Sequence, residues 1–179
     1  FSSGRYRPRD AAHTYVTSSP SMDISRASNF ERFVFDAVGR DPALVRSLWK
    51  SLAEKGEVTL EGEAWERVRA SGFCAGRSVH ADRLATIRDL YERLGVLVDP
   101  HTADGIKVAR EKRIPGVKCL CLETAQPAKF AATIREAAGI EPPAPASCQG
   151  LEARPQRFEV IEADAGLVKR FLDLHVARK

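Results

Sequence analysis

Two short stretches end apolar runs with side chains that can do chemistry. Residues 96–102, VLVDPHT, finish on Asp99, His101 and Thr102, and residues 117–126, VKCLCLETAQ, finish on Glu123, Thr124 and Gln126. In open parallel α/β sheets, ligands sit beyond the carboxyl ends of the strands. If the two runs are neighbouring strands, their tips crowd a carboxylate, an imidazole and two hydroxyls around one crevice. The same residue types also suit plain helix capping, with Thr102 and Thr124 as N-caps, each contributing about 1 kcal/mol.

Two further stretches invite an anion. SSPSMDIS sets Ser18, Ser19 and Ser21 around Pro20. These are hydroxyls suited to a phosphate or oxyanion, and equally the ordinary content of a turn. GRSVHADR places Arg77, Ser78, His80 and Arg83 close together at a helix start, where they could grip a phosphate or form a solvated surface. No Ser-His-Asp order, P-loop, Gly-x-Gly-x-x-Gly or metal-ligand array occurs, so no metal is expected. Cys74, Cys119, Cys121 and Cys148 lack zinc-ligand spacing. Cys119 and Cys121 fall on one face of a strand and read as buried reduced thiols, with a redox or metal pair as the alternative.

The elements that must position these groups follow from local signals. Ser28 and Glu31 read as a capping box ahead of the stripe Phe30, Phe33, Val34, Ala37 and Val38, closed by Gly39. Asp41-Pro42 opens a second helix that runs to Gly56. Residues 57–77 are mixed and Gly-punctuated and give no clear element. A third helix over 78–95 sets Leu84, Ile87, Tyr91 and Leu94 on one face. From there short apolar strands alternate with helices: VLVDP, HTADGIKVARE, VKCLCLE, TAQPAKFAATIREAAG. That alternation predicts an α/β fold with parallel strands and crossover helices. A Pro-rich linker follows, then a last strand and helix. The resulting segments are 1–25, a short β-like entry with the Ser-rich turn; 26–95, mainly helical; 96–140, βαβα; 141–155, linker; and 156–179, terminal strand and helix.

Bulk composition narrows the class. At 44% hydrophobic and 29% charged residues the chain reads as a globular domain or a piece of one. No apolar run reaches the twenty or so residues of a membrane helix, and no signal segment opens the chain, so a cytoplasmic location and no membrane partner are expected. The net charge of +4 comes from 28 Lys and Arg interspersed with 24 Asp and Glu. With no basic stripe, nucleic acid is not an expected partner, while small anions are compatible.

Taken in order, SSPSMDIS, SNFERFVFD, GRSVHADRLATIRDLYERLG, DPHTADGIKVARE and LETAQPAKF resemble the carboxyl-terminal portion of the bacterial threonine synthase family, most strongly between Arg5 and Ala138. The resemblance implies a pyridoxal 5'-phosphate (PLP) enzyme of the tryptophan-synthase-β-like fold, fold type II. Such enzymes convert O-phosphohomoserine and water to threonine and phosphate. It also implies that Thr124 presents a hydroxyl to the pyridine nitrogen of the cofactor. Asp99, His101 and Thr102 are cofactor-binding candidates beside it, and Ser19, Ser21 and Asn29 are candidate active-site lining. Gln126 stands where relatives often carry another residue and is given no role. The family's Schiff-base lysine, in a His-Gly-Pro-Thr…Phe-Lys-Asp type of motif, and its glycine-asparagine phosphate loop have no counterpart here. The chain opens at Phe1, inside the family pattern, so a missing amino-terminal portion is the expected partner and no turnover is expected from the chain alone. Another fold type II enzyme, or a non-catalytic remnant acting as a binding module, are the alternatives.

Overall fold

The computed structural model describes residues 2–176. Phe1 and residues 177–179, the extreme ends of the first and last predicted segments, lie outside it. The chain divides between Pro143 and Ala144, within the Pro-rich stretch, into two compact units.

The first unit opens with β1 (Arg5–Tyr6), which pairs antiparallel with β2 (Val58–Thr59) in the register Arg5↔Thr59, Tyr6↔Val58. Between them lie 3-10 turns at Ala11–His13 and Pro20–Met22, then α1 (Phe30–Ala37) and α2 (Pro42–Lys55). Asp41 caps α2 as expected, its Oδ1 accepting from the Ala43 and Leu44 N–H groups at 2.8 and 3.1 Å. The capping box expected at Ser28 and Glu31 does not form. Helix α1 starts at Phe30, leaving Ser28 one residue too early, and the Glu31 carboxylate accepts instead from the Trp49 indole N–H on α2. Helix α3 (Gly62–Ala70) occupies the stretch that gave no clear sequence signal. Val34, Ala37, Val38, Val45, Leu60 and Val68 form the core shared by α1, α2, α3 and the β2 end, with Phe33, Trp49 and Trp65 packed against it.

A second core joins α4 (His80–Leu94), α5 (Pro100–Lys112) and α6 (Ala131–Ala138) through Ile87, Leu90, Val98, Ala103, Ile134 and Ala137. The buried stripe of α4 is Arg83, Thr86, Ile87 and Leu90. Leu94, expected on that face, ends the helix exposed. Arg83 and Thr86 are polar, so an apolar pattern alone misphases this helix. Asp89 of α4 accepts from Arg93 at 3.2 Å and from Arg110 of α5 at 2.8 Å. Those guanidiniums, Arg93 first, hold its carboxyl below the usual carboxylate value.

The expected parallel ladder is absent among the described residues. Segments 96–99, 117–123 and 158–162 are neither helical nor ladder-paired, and the sheet there is the single β1–β2 pair. A parallel strand exists only beside a hydrogen-bonded neighbour, and none flanks these segments. Leu120 and Leu122 accordingly stand 90% and 81% exposed. Cys119 and Cys121, expected buried, are free and exposed for the same reason, and Cys74 and Cys148 are free and exposed as well.

The second unit carries 3-10 turns at Ala146–Cys148 and Leu151–Ala153, then α7 (Ala165–His175), capped by Asp164 accepting from Leu167 N–H at 2.9 Å. No helix among the described residues is long and apolar enough to cross a membrane.

Candidate functional site

The chain from Val98 enters α5 through Asp99-Pro100, the same grammar as Asp41-Pro42. Asp99 is fully buried and is the N-cap: its Oδ1 accepts from the His101 and Thr102 N–H groups at 2.9 and 3.3 Å. Thr102, in the first turn, is therefore not a cap. Its hydroxyl donates to Asp99 Oδ2 and accepts from the Thr124 backbone N–H at 3.2 Å. One hydroxyl thus ties the tip of segment 117–123 to the start of α5, and the two stretches singled out by sequence do meet.

Thr124 is not a cap either. The following 3-10 turn (Pro127–Phe130) has Gln126 at its N-cap position without a side-chain cap bond, and α6 starts only at Ala131. The Thr124 side chain is exposed, and its hydroxyl makes no hydrogen bond among the described residues. Just upstream, Cys121 Sγ approaches the Thr102 carbonyl at 4.0 Å. Desolvation there, with lesser contributions from Cys119 and Asp99, raises its thiol above the usual value. Gly105 on α5 leaves room for this approach, since a Cβ there would stand 3.2 Å from the same sulfur.

The imidazole of His101 is buried. Its Nδ1 shares a hydrogen bond with Ser19 Oγ, itself fully buried, and its Nε2 is buried without a partner among the described residues. The ring meets Phe130 edge-on, centroids 4.8 Å apart at 84°. Phe130 was missed by sequence reasoning; its only signal was its place at the end of PAKF. Ser19, Asp99, His101, Thr102 and Thr124 therefore form one connected cluster. Ser21 and Asn29 do not join it by any hydrogen bond among the described residues: both are exposed, and Asn29 Oδ1 accepts from Arg32 Nη2 at 2.9 Å.

One residue before Ser19, Ser18 turns toward a different set of groups. Its Oγ accepts from Arg83 Nη1 at 3.1 Å and lies 2.8 Å from His80 Nδ1. The other His80 nitrogen lies 2.9 Å from Glu136 Oε1. Arg83, its side chain only 7% exposed, is neutralised by Asp104, with Nε donating to Oδ2 at 2.9 Å. Ser18, His80, Arg83 and Asp104 line a cleft of about 1060 Å³ together with Arg9, Asp23, Arg77 and Ser78.

With this geometry in place, the likeness to solved structures is specific. The PLP-bound threonine synthase from Brucella melitensis superposes with a TM-score of 0.83 at 40% identity, over 99% of this chain and 37% of that one. The yeast threonine synthase gives 0.77 at 25% identity, over 96% of this chain and 38% of that one. The architecture is that of the carboxyl-terminal portion of a fold type II PLP enzyme.

Residues 102–172 match the family model described as "Threonine synthase, C-terminal". Curated threonine synthases from Methylobacillus glycogenes and Corynebacterium glutamicum are 55% and 47% identical over 98% and 96% of this chain. The chain belongs to the threonine synthase family and spans 37% and 36% of the length of those two relatives.

Proposed function

We propose that this chain is the carboxyl-terminal part of a threonine synthase, converting O-phosphohomoserine and water to threonine and phosphate. An amino-terminal portion of the same polypeptide would supply the Schiff-base lysine. The carrying observation is the Thr124 hydroxyl, which makes no hydrogen bond among the described residues while its backbone is fixed by Thr102. A hydroxyl that is positioned but unspent suits a ligand.

The residues present fit the cofactor, though not all in the roles expected. Asp99 and Thr102 spend their polar atoms on each other, on the α5 N-terminus and on Thr124, so they position the site and do not hold the ring. Thr124 and His101, whose buried Nε2 lacks a partner among the described residues, are the residues that would hold PLP. When bound, the cofactor withdraws electrons from the substrate's reacting carbons. A hydroxyl facing the pyridine nitrogen leaves that nitrogen largely unprotonated, whereas a carboxylate would stabilise the pyridinium; the Thr124 choice makes a milder sink. Phe130 and the buried Ser19–His101 pair keep the imidazole in one orientation.

The test is Thr124→Ala in the PLP-loaded full-length enzyme. Turnover should fall up to about tenfold, the cost of one neutral hydrogen bond, with the cofactor's visible absorbance retained. Wild-type turnover would refute the assignment of Thr124.

A further inference from the structure

The cleft lined by Ser18 and His80 holds a chain of hydrogen bonds that the cofactor-facing residues do not use. Ser18 Oγ lies 2.8 Å from His80 Nδ1, and His80 Nε2 lies 2.9 Å from Glu136 Oε1 on α6. The proton positions follow from what each partner can do. A carboxylate only accepts, so His80 Nε2 carries a proton and donates it to Glu136. A guanidinium only donates, so Ser18 Oγ accepts from Arg83 Nη1 at 3.1 Å. The Ser18 proton is then left for His80 Nδ1, the lone-pair nitrogen of the neutral ring. Ser18, His80 and Glu136 thus stand as hydroxyl, base and orienting carboxylate, at distances normal for an activated nucleophile.

The surroundings suit an ester better than a free anion. Arg83 is paired with Asp104, whose Oδ1 is buried without a hydrogen-bond partner among the described residues. That carboxylate offsets the guanidinium charge. Arg83 Nη1 still stands beside Ser18 Oγ as an oriented donor, where the oxygen of an attacked acyl carbon would develop charge. Tyr15, Val16, Met22 and Val79, all exposed apolar side chains, line the same cleft. Gathered in one recess, they give an apolar acyl group a surface to lie on. The 76–78 wall is fixed as well. At Gly76 a Cβ would come 2.6 Å from Val108 Cγ1, and Lys107 of α5 donates to the Arg77 carbonyl.

We infer that Ser18 is an acyl-transfer nucleophile, with His80 as its general base, Glu136 orienting the imidazole, and an ester of an apolar carboxylic acid as substrate. Ser18 Oγ bonds to the acyl carbon while His80 Nδ1 takes the hydroxyl proton. The bond from that carbon to the alcohol oxygen then breaks, and His80 returns the proton to the leaving oxygen. Water repeats the sequence on the acyl-Ser18 ester, releasing the carboxylic acid and restoring Ser18. Water is the only co-reactant. The chemistry uses neither Thr124 nor His101 and does not rest on threonine synthesis.

The experiment gives the PLP-loaded full-length protein two probes. Hydrolysis of p-nitrophenyl butyrate is followed by absorbance, and a fluorophosphonate, which bonds to activated serine oxygens with loss of fluoride, is mapped to its peptide by mass spectrometry. Mapping separates Ser18 from the exposed cysteines. Expected are butyrate hydrolysis, slower hydrolysis of the acetate ester, and a phosphonyl group on Ser18. Ser18→Ala should abolish both signals, and His80→Gln should slow hydrolysis about 10²–10⁴-fold, the contribution of a positioned general base. Glu136→Gln changes a half-exposed side chain and should slow hydrolysis with the melting temperature unchanged, which a merely structural relay would not do. Undiminished hydrolysis in Ser18→Ala or His80→Gln, or a wild type that neither hydrolyses the esters nor labels at Ser18, would overturn the site. Ester hydrolysis through Ser18 without threonine formation would retain the site and refute the proposed function; threonine formation without ester hydrolysis would refute the site alone.

Discussion

At Thr102 one hydroxyl has two partners, giving its proton to the buried Asp99 carboxylate and accepting the Thr124 N–H. Thr102→Val keeps the shape and removes both bonds. It should destabilise the chain by about 2 kcal/mol, the cost of leaving a buried charged acceptor under-satisfied; Thr102→Ser should stay near wild type. Urea midpoints on the two variants decide between this and a merely space-filling threonine. Much of this cluster was legible in the sequence, because Asp99, His101, Thr102 and Thr124 ended two apolar runs in the same style. What was not legible was the division of labour. Capping propensity favours Thr at either position, yet the Asp99-Pro100 pair takes the cap, and that frees Thr102 to bridge. The Ser19–His101 and Ser18–His80 bonds span 82 and 62 residues. No local pattern encodes such separations.

Between elements, the close approach of segment 76–78 to α5 depends on the missing side chain at Gly76. Gly76→Ala places a methyl against Val108, a stiff β-branched side chain, and overpacking of this kind costs about 1–3 kcal/mol. Adding Val108→Ala should recover most of that loss, so the double variant should be more stable than the two single effects summed. Strict additivity in thermal melts would show that the two positions do not touch. Helix starts and stops were read from sequence wherever a cap was strong, as at Asp41 and Gly56. They were missed where tertiary partners intervened. Trp49 draws Glu31 away from the α1 start, and Arg83 turns the buried face of α4 toward Asp104 and Ser18.

Across the whole molecule, the alternation of apolar runs and helices pointed to an α/β fold and the resemblance to threonine synthases to its type II class, and the likeness to solved threonine synthases bears that class out. The ladder itself does not form among the described residues, where segments 96–99, 117–123 and 158–162 pair with no strand. The exposure of Leu120 and Leu122 and the unspent Thr124 hydroxyl then have a common explanation in the proposed amino-terminal portion, which would cover the former and bring a ligand to the latter. The most direct test compares the PLP-loaded full-length protein with the isolated 179-residue chain, each given O-phosphohomoserine, measuring phosphate and threonine together. The proposed function predicts equimolar phosphate and threonine from the full-length protein and neither from the isolated chain. Turnover by the isolated chain, or phosphate release without threonine from the full-length protein, would contradict it.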